Sequence, residues 1–548
     1  MRRHYDREVY FMVGEAPIVG PSFSGCPLHP STPASNPLAA GQPAVNEKRD
    51  FKFGRMFDKL SAGSRRTAEE QQAEALALVE LGAAMNQQDV NLKDDDSSIP
   101  SGYTYLGQFI AHEITFDQTN VKENFPTATI DDIKAIEQGR SPSIDLDALY
   151  GLGPEDKESR KSYEADGVRL KVGDTLPSDG YGQILQNDLR RSLANDESLG
   201  QALIPDPRND ENLLVAQTHV ALIKFHNKVV EKIQEQERGL SASKLFERAQ
   251  ECVIKHFQWI VLHDFLPRII DEAKLNDAIN AESAIFSDAK EMFMPVEFSG
   301  AAFRFGHSMV RNSYELNMLH NSDGSGKVSI KEFFELTNFS GGHKAALENQ
   351  WVVDWRHFYD FGGVEEVAGN PKLNLAKRID TAFNLNIEGL SNYPHPQDKS
   401  YRPLPVRNLI RGHALGLPSG QAVADYMLRS GHAVKLITKE ILLDSPHAAV
   451  LSKHGFAERT PLWYYILKEA EQNGGSRLGD VGSFIVAQTF AGILRNSVIS
   501  ILRDKDWRPS LPAHQPGDFA MIDLLKVADV IDPIGQHERL IGGSRRSR

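Results

Sequence analysis

Apolar positions along this chain recur mostly with the period of a helix. Thr67 and Glu70 form a capping box ahead of a run that predicts a helix through about Met85. Tyr105 to Gln118 predicts a second, with Gln108 and His112 at i and i+4 on one face and Glu113 rotated about 100° from it. Leu213, Ala216, Val220, Ile223, Val230 and Ile233 keep the period in a third, which Asn209 or Asp210 can cap. Ala249 to Ile270 predicts a long buried helix ended by Pro267. Val481 to Leu502 is interrupted by Gln488, Arg495 and Asn496, which suits a buried core helix and not a membrane span. Only Gly167 to Gly182, polar and Gly-rich, predicts a β-containing excursion.

The expected fold is therefore mainly α, one large helical domain over 51–535 with little β structure. Residues 1–50 form an extended arm, because the Pro, Ser, Gly and Ala that dominate Phe23 to Ala44 cannot bury enough apolar surface to offset ordering entropy. Residues 536–548 read as a flexible basic tail.

At 548 residues the chain could hold three or four domains of ordinary size, but an α-rich enzyme can bury one core this large. A net charge of -13 argues against nucleic acid, whose phosphates need clustered Lys and Arg. The two cysteines, Cys26 and Cys252, form no disulfide framework and read as free thiols in a reducing compartment. Met1 to Glu8 carries charge where a signal peptide needs an apolar core, so the expected location is cytoplasmic, or exported without a cleavable signal.

On residue chemistry alone, several positions have two readings. His112 on an apolar helix is ordinarily a hydrogen-bonded core residue. Arg208 is ordinarily paired with Asp206 or Asp210. Ser141, Ser143, Asp145 and Asp147 alternate onto one side of an extended segment, converging oxygens as a hard cation requires, although such residues also make plain turns. In Ala301 to Val310, helical geometry sets Arg304 and His307 one turn apart, and Gly306 removes a side chain beside the histidine so that a flat group can approach. Asn321 to Glu332 matches a calcium-binding EF-hand loop through Asn321, Asp323, Ser325, Gly326, Val328 and Glu332. The competing reading, a polar turn before a helix near Ser329 with Glu332 closing a capping box, is favoured.

The segment Gly107 to Thr115, G-Q-F-I-A-H-E-I-T, resembles the distal-histidine helix of the animal-type haem peroxidases, the peroxidase/cyclooxygenase superfamily. Four further segments resemble that family in the same chain order. They are I-P-D-P-R-N-D-E-N-L-L from Ile204, closer to the bacterial branch than to the vertebrate one, A-F-R-F-G-H from Ala302, Leu404 to Gln421, and Leu478 to Leu494. The resemblance implies haem b, with His307 as proximal iron ligand, Asn408 accepting from its imidazole, and Arg304 and Arg411 near the propionates. It implies Gln108 and His112 on the peroxide side, with Arg208 giving fixed positive charge to the breaking O–O bond. It implies Ca2+ held by Glu113, by the side chains of Ser141 and Asp147, by the Ser143 carbonyl, and by both the side chain and carbonyl of Asp145.

Ala111 stands where vertebrate relatives have an Asp ester and Asn212 where one has a Met link, while Glu211 matches the remaining ester position, so at most one ester is expected. The implied activity is reduction of hydrogen peroxide through a ferryl intermediate with oxidation of a small organic or halide donor, in an oxidative stress response. The alternative is a haem fatty-acid dioxygenase, but Arg304 occupies the place of that group's radical-forming Tyr. A non-catalytic adhesion or scaffold protein is less expected, because Gln108, His112, Arg208, His307 and Asn408 are all present and the chain has no R-G-D.

Overall fold

The computed structural model describes residues 52–535 apart from 61–66, 87–94, 117–132, 134–135, 137, 142, 179–182, 195–197, 281–284, 287–291, 341, 343–345, 363–370 and 384–398. Cys26, the N-terminal arm and the basic tail lie outside the described residues. The capping box forms: Glu70 N donates to Thr67 Oγ1 at 3.2 Å and Thr67 N to the Glu70 carboxylate at 2.8 Å, opening the helix Ala68–Met85. That helix packs on Leu404–Ala414, and the approach needs Gly82, where a Cβ would come within 2.6 Å of Val406 Cα.

The helix Gly102–Ile114 has every residue buried except Gly107. It is enclosed by the helix Leu213–Gln236 on one side and the 3-10 helix Ala302–Met309 on another. The cap of Leu213–Gln236 is Asn212, whose side chain accepts from Val215 N at 3.2 Å, and neither Asn209 nor Asp210. Those two sit in a preceding 3-10 turn, Pro207–Asp210, which Asp206 caps and Pro207 preorganises at its first position.

Pro267 does not end its helix. Ala242–Trp259 runs on through a π-turn, Ile260–Phe265, into Leu266–Ile269. Proline lacks the N–H that would reach the carbonyl four residues back, and the wider turn just before it absorbs that break in the ladder. Asp480–Asn496 is the expected buried helix, ending at Asn496 and not at Leu502, and its Arg495 reaches the carbonyls of Ala278 and Ile279 at 2.5 and 2.6 Å. Among the described residues no helix is long and apolar enough to cross a membrane.

Strands contribute only four two-stranded sheets among the described residues. One, Val172–Gly173 antiparallel to Asp188–Leu189, supplies the expected excursion. The EF-hand-like loop resolves into the polar turn: Ser329 N donates to Glu332 at 2.7 Å and Glu332 N to Ser329 Oγ at 3.2 Å, capping Ile330–Glu335. Around these elements one continuous cluster of buried apolar side chains extends from Phe53 to Ile534.

Candidate active site

A narrow, largely apolar slot lies where Ala302–Met309 meets Gly102–Ile114, lined by Thr104, Gly107 and Gln108 from one and by Phe305, Gly306 and His307 from the other. In a 3-10 helix residues three apart eclipse, so Arg304 and His307 stand on one side as the spacing predicts. Both reach Asn408 on Leu404–Ala414, whose amide nitrogen and oxygen lie 2.9 and 3.1 Å from His307 Nδ1 and whose oxygen accepts from Arg304 Nη1 at 3.0 Å. With Nδ1 so engaged, a metal in the slot would take Nε2. Arg304 also donates to the Ser299 carbonyl at 2.8 Å and does not line the slot, and through its bond to the amide oxygen it braces Asn408. Arg411, one turn beyond Asn408, is buried and likewise does not line the slot.

Gln108 faces the slot, with its own ends fixed: Nε2 donates to Glu211 Oε2 at 2.5 Å and Oε1 accepts from Asn212 Nδ2 at 3.1 Å. His112, one turn on, stands behind it and not in the slot wall. Its Nε2 lies 3.9 Å from Glu211 Oε2 and its Nδ1 2.8 Å from Asn209 Oδ1. Burial, and after it the charge of Arg208, hold the imidazole down to about 3, so it is neutral with one nitrogen able to accept a proton. Helical periodicity gives no sign of the Asn209 contact, since it points to a capping role for that residue. Only the 3-10 turn directs its amide inward.

Arg208 is placed differently from the expectation. Its guanidinium donates to the His112 carbonyl at 2.7 Å, the Thr115 carbonyl at 2.8 Å and Asp206 Oδ1 at 3.0 Å, and stacks on Phe116 at 4.2 Å. The last carbonyls of a helix lack intrahelical donors and carry partial negative charge, so a buried cation settles there before it reaches a cavity. Asp206, shared with Arg140 at 2.5 Å, is held well below the carboxylate range because these two arginines outweigh the effect of burial.

On the other face of the helix the carboxylates of Glu113, Asp145 and Asp147 converge, one oxygen from each lying within 4.8 Å of the others. Burial pushes all three up, Glu113 well above its ordinary value with help from its two acidic neighbours and Asp147 to about 7. Asp147 Oδ1 is buried without a hydrogen-bond partner among the described residues, with Arg140 Nη1 3.6 Å away. Ser141 Oγ donates to Asp145 at 2.9 Å, whereas Ser143 turns its hydroxyl to Ser497 at 3.0 Å, leaving its carbonyl as the oxygen it can offer. Three crowded, destabilised carboxylates with an orphaned oxygen fit a hard divalent cation such as Ca2+.

The slot fits a flat metal macrocycle on similar grounds. A Cβ added at Gly306 would meet nothing within 4 Å, so there is open space beside His307. Thr104 Oγ1, in the slot wall, is buried without a hydrogen-bond partner among the described residues. Apart from Tyr103, Thr104 and Gln108 the walls are apolar, and the His307 imidazole is oriented from behind, which is how a haem iron is held.

Comparison with known proteins agrees. The profile of the animal haem peroxidase family matches residues 109–493. A peroxidase-like protein of Margaritifera margaritifera is 26% identical over 374 residues, covering 59% of this chain and 45% of that protein. The chorion peroxidase of Drosophila melanogaster is 25% identical over 401 residues, 71% of this chain and 44% of that protein. The chain thus spans less than half the length of these relatives. Among solved structures, peroxidase A of Dictyostelium discoideum superposes with a TM-score of 0.53 at 16% identity, over 84% of this chain and 88% of that one. A fatty acid alpha-dioxygenase of Oryza sativa gives 0.53 at 12% identity, over 85% and 78%. The chain belongs to the animal haem peroxidase family.

Proposed function

We propose that this family member is a working haem peroxidase, reducing hydrogen peroxide and oxidising a small organic or halide donor. The observation that carries the reading is one slot sharing His307, oriented by Asn408, with Gln108, whose neighbour Glu211 faces the neutral imidazole of His112. His307 would hold haem b, which when bound would supply the redox-active iron for reducing peroxide at the expense of a donor.

The rest is the work of side chains. Asn408 accepts from His307 Nδ1–H, which keeps that imidazole neutral and in one tautomer and raises its basicity as a ligand. His112, behind Gln108, takes a peroxide proton at Nε2 through one bridging water and returns it to the departing oxygen by the same route, general base and then general acid. Gln108, locked between Glu211 and Asn212, presents its amide to the slot and positions peroxide, water or a small anion. Arg208 acts at one remove, by gripping the carbonyl of His112 and so the end of the helix that carries it. Glu113, Asp145 and Asp147, with Ser141 and the Ser143 carbonyl, would hold Ca2+, which would fix the same helix from its opposite face.

The test is an optical spectrum of purified, haem-loaded protein before and after hydrogen peroxide. A Soret band that shifts on peroxide and returns on addition of a donor supports the reading, and an inert Soret band or none defeats it. Oxygen uptake with an unsaturated fatty acid and no peroxide would instead identify a dioxygenase, the activity for which the rice neighbour is named.

A further inference from the structure

We infer that Asn209, anchored by His219, is the positioning residue that holds His112 with its proton on Nδ1 and its lone pair on Nε2. The inference rests on the reading of His112 as the proton-handling group.

Three fully buried side chains form an unbranched row. Asn209 Oδ1 lies 2.8 Å from His112 Nδ1, and Asn209 Nδ2 lies 3.0 Å from His219 Nδ1. An amide has one accepting end and one donating end. Its oxygen on His112 therefore requires a proton on that Nδ1, and its NH2 on His219 requires a lone pair there. Both rings are buried and neither has a carboxylate within hydrogen-bonding distance to hold a second proton, so each carries a single proton and the amide assigns its place. His112 is left with its lone pair on Nε2, and His219 with its proton on an Nε2 that has no hydrogen-bond partner among the described residues.

Two observations favour this orientation over the flipped one, in which His112 would carry its proton on Nε2. First, His112 Nε2 stands 3.9 Å from Glu211 Oε2, beyond hydrogen-bonding distance, and a buried N–H would close on a neighbouring carboxylate. Instead Glu211 Oε2 accepts from Gln108 at 2.5 Å. Second, the turn carrying Asn209 is clamped on both sides by buried ion pairs. Asp206 binds Arg208 and Arg140, and Asp210 takes Arg191 at 2.8 and 2.9 Å, so the amide cannot follow a shift of His112.

The chemistry agrees with that orientation. When a peroxide O–H proton passes to Nε2, the Nδ1 proton stays where it is. The imidazolium so formed is stabilised by Asn209 Oδ1 and by the carboxylate beyond Nε2, and the same proton then leaves for the departing oxygen. An aspartate in place of Asn209 would favour the imidazolium before peroxide arrives and remove the base.

The experiment uses full-length, haem-loaded protein with 15N-labelled histidine, in the diamagnetic ferrous carbonyl form, with H112Q to assign the His112 signals. Long-range 15N–1H spectra report which ring nitrogen carries hydrogen. The inference expects the Nδ1–H tautomer in wild type, a shift toward Nε2–H in H219F, and a doubly protonated ring in N209D. Both variants should react with peroxide on the order of 10–100-fold more slowly at unchanged haem affinity, the usual scale for losing such an orienting partner. If N209D does not fold, H219F decides alone, since it leaves the Asn209 side chain in place. A wild-type His112 protonated on Nε2, or a tautomer unmoved in H219F, overturns the inference. Because the tautomer is read without turnover, a protein inert to peroxide would defeat the peroxidase reading while the spectra still show whether Asn209 sets the His112 proton.

Discussion

Asn408 joins two side chains that lie one 3-10 turn apart: its amide oxygen sits 3.1 Å from His307 Nδ1 and 3.0 Å from Arg304 Nη1. Replacing it by Leu removes the acceptor they share. We expect N408L to lose on the order of 10–100-fold in haem affinity and about 1–3 kcal/mol of stability through the buried donors it leaves behind. Haem titration followed at the Soret band and denaturant unfolding measure the two. Wild-type haem affinity in a folded N408L would show that Asn408 does not tune His307 as a ligand.

Calcium should invert the effect of one substitution. Without the ion, E113Q relieves a buried carboxylate crowded by Asp145 and Asp147, so the variant should be more stable than wild type. With calcium the order should reverse, because an ion present at 100-fold above its Kd stabilises the wild type by about 2.7 kcal/mol. Paired melts in chelator and in calcium decide it, and an E113Q effect of one sign in both would remove the ion from this site.

Arg208 should behave first as a structural residue. R208A leaves two helix-end carbonyls without their donor and Asp206 with Arg140 as its one remaining arginine, for a cost of about 3–5 kcal/mol. Peroxide reactivity should fall along with the displaced His112. An R208A protein with wild-type stability that nevertheless reacts slowly would return Arg208 to the O–O bond, the role that the family resemblance implies.

The Glu211 carboxylate stands beside the slot through Gln108 and is the one side chain matching an ester position. After peroxide turnover, acid-acetone extraction should leave part of the haem on the wild type and none on E211Q. Haem that leaves the treated wild type completely would rule the link out.

Acid should destabilise the fold through histidines far from the slot. His226 lies between Tyr150 at 3.0 Å and the Val168 carbonyl at 2.9 Å, His256 is closed in by aromatic rings, and burial lowers both to about 4. In the unfolded chain each protonates near 6.5. Between about pH 6.5 and 4 the unfolded state thus binds the extra protons, and stability falls as pH falls, by about 1.4 kcal/mol per pH unit per histidine. Unfolding free energies at pH 7, 6 and 5 should show this slope, and H226Q/H256Q should flatten it. An unchanged slope in that double variant would refute the assignment.

Much of the molecule can be read from local order. Helical periodicity, the Thr67–Glu70 box and the i, i+4 placement of Gln108 and His112 depend on neighbours a few residues apart, and short-range geometry reproduces them in the fold. The convergence of Asp145 with Asp147 is likewise visible in an alternating segment. Tertiary structure decided the rest, because it turns on which of several possible partners a polar group finds once water is excluded. Arg208 could face a cavity or a helix end, and the unpaired carbonyls of His112 and Thr115 took it. Asn209 could cap a helix or orient an imidazole, and a turn pinned by Asp206 and Asp210 aimed it at His112. Pro267 could end a helix or ride over a π-turn, and burial of the whole run favoured continuing. The sequence by itself thus determined which groups are present and on which faces they lie, while competition among buried hydrogen-bond partners, distant along the chain, determined what each group does.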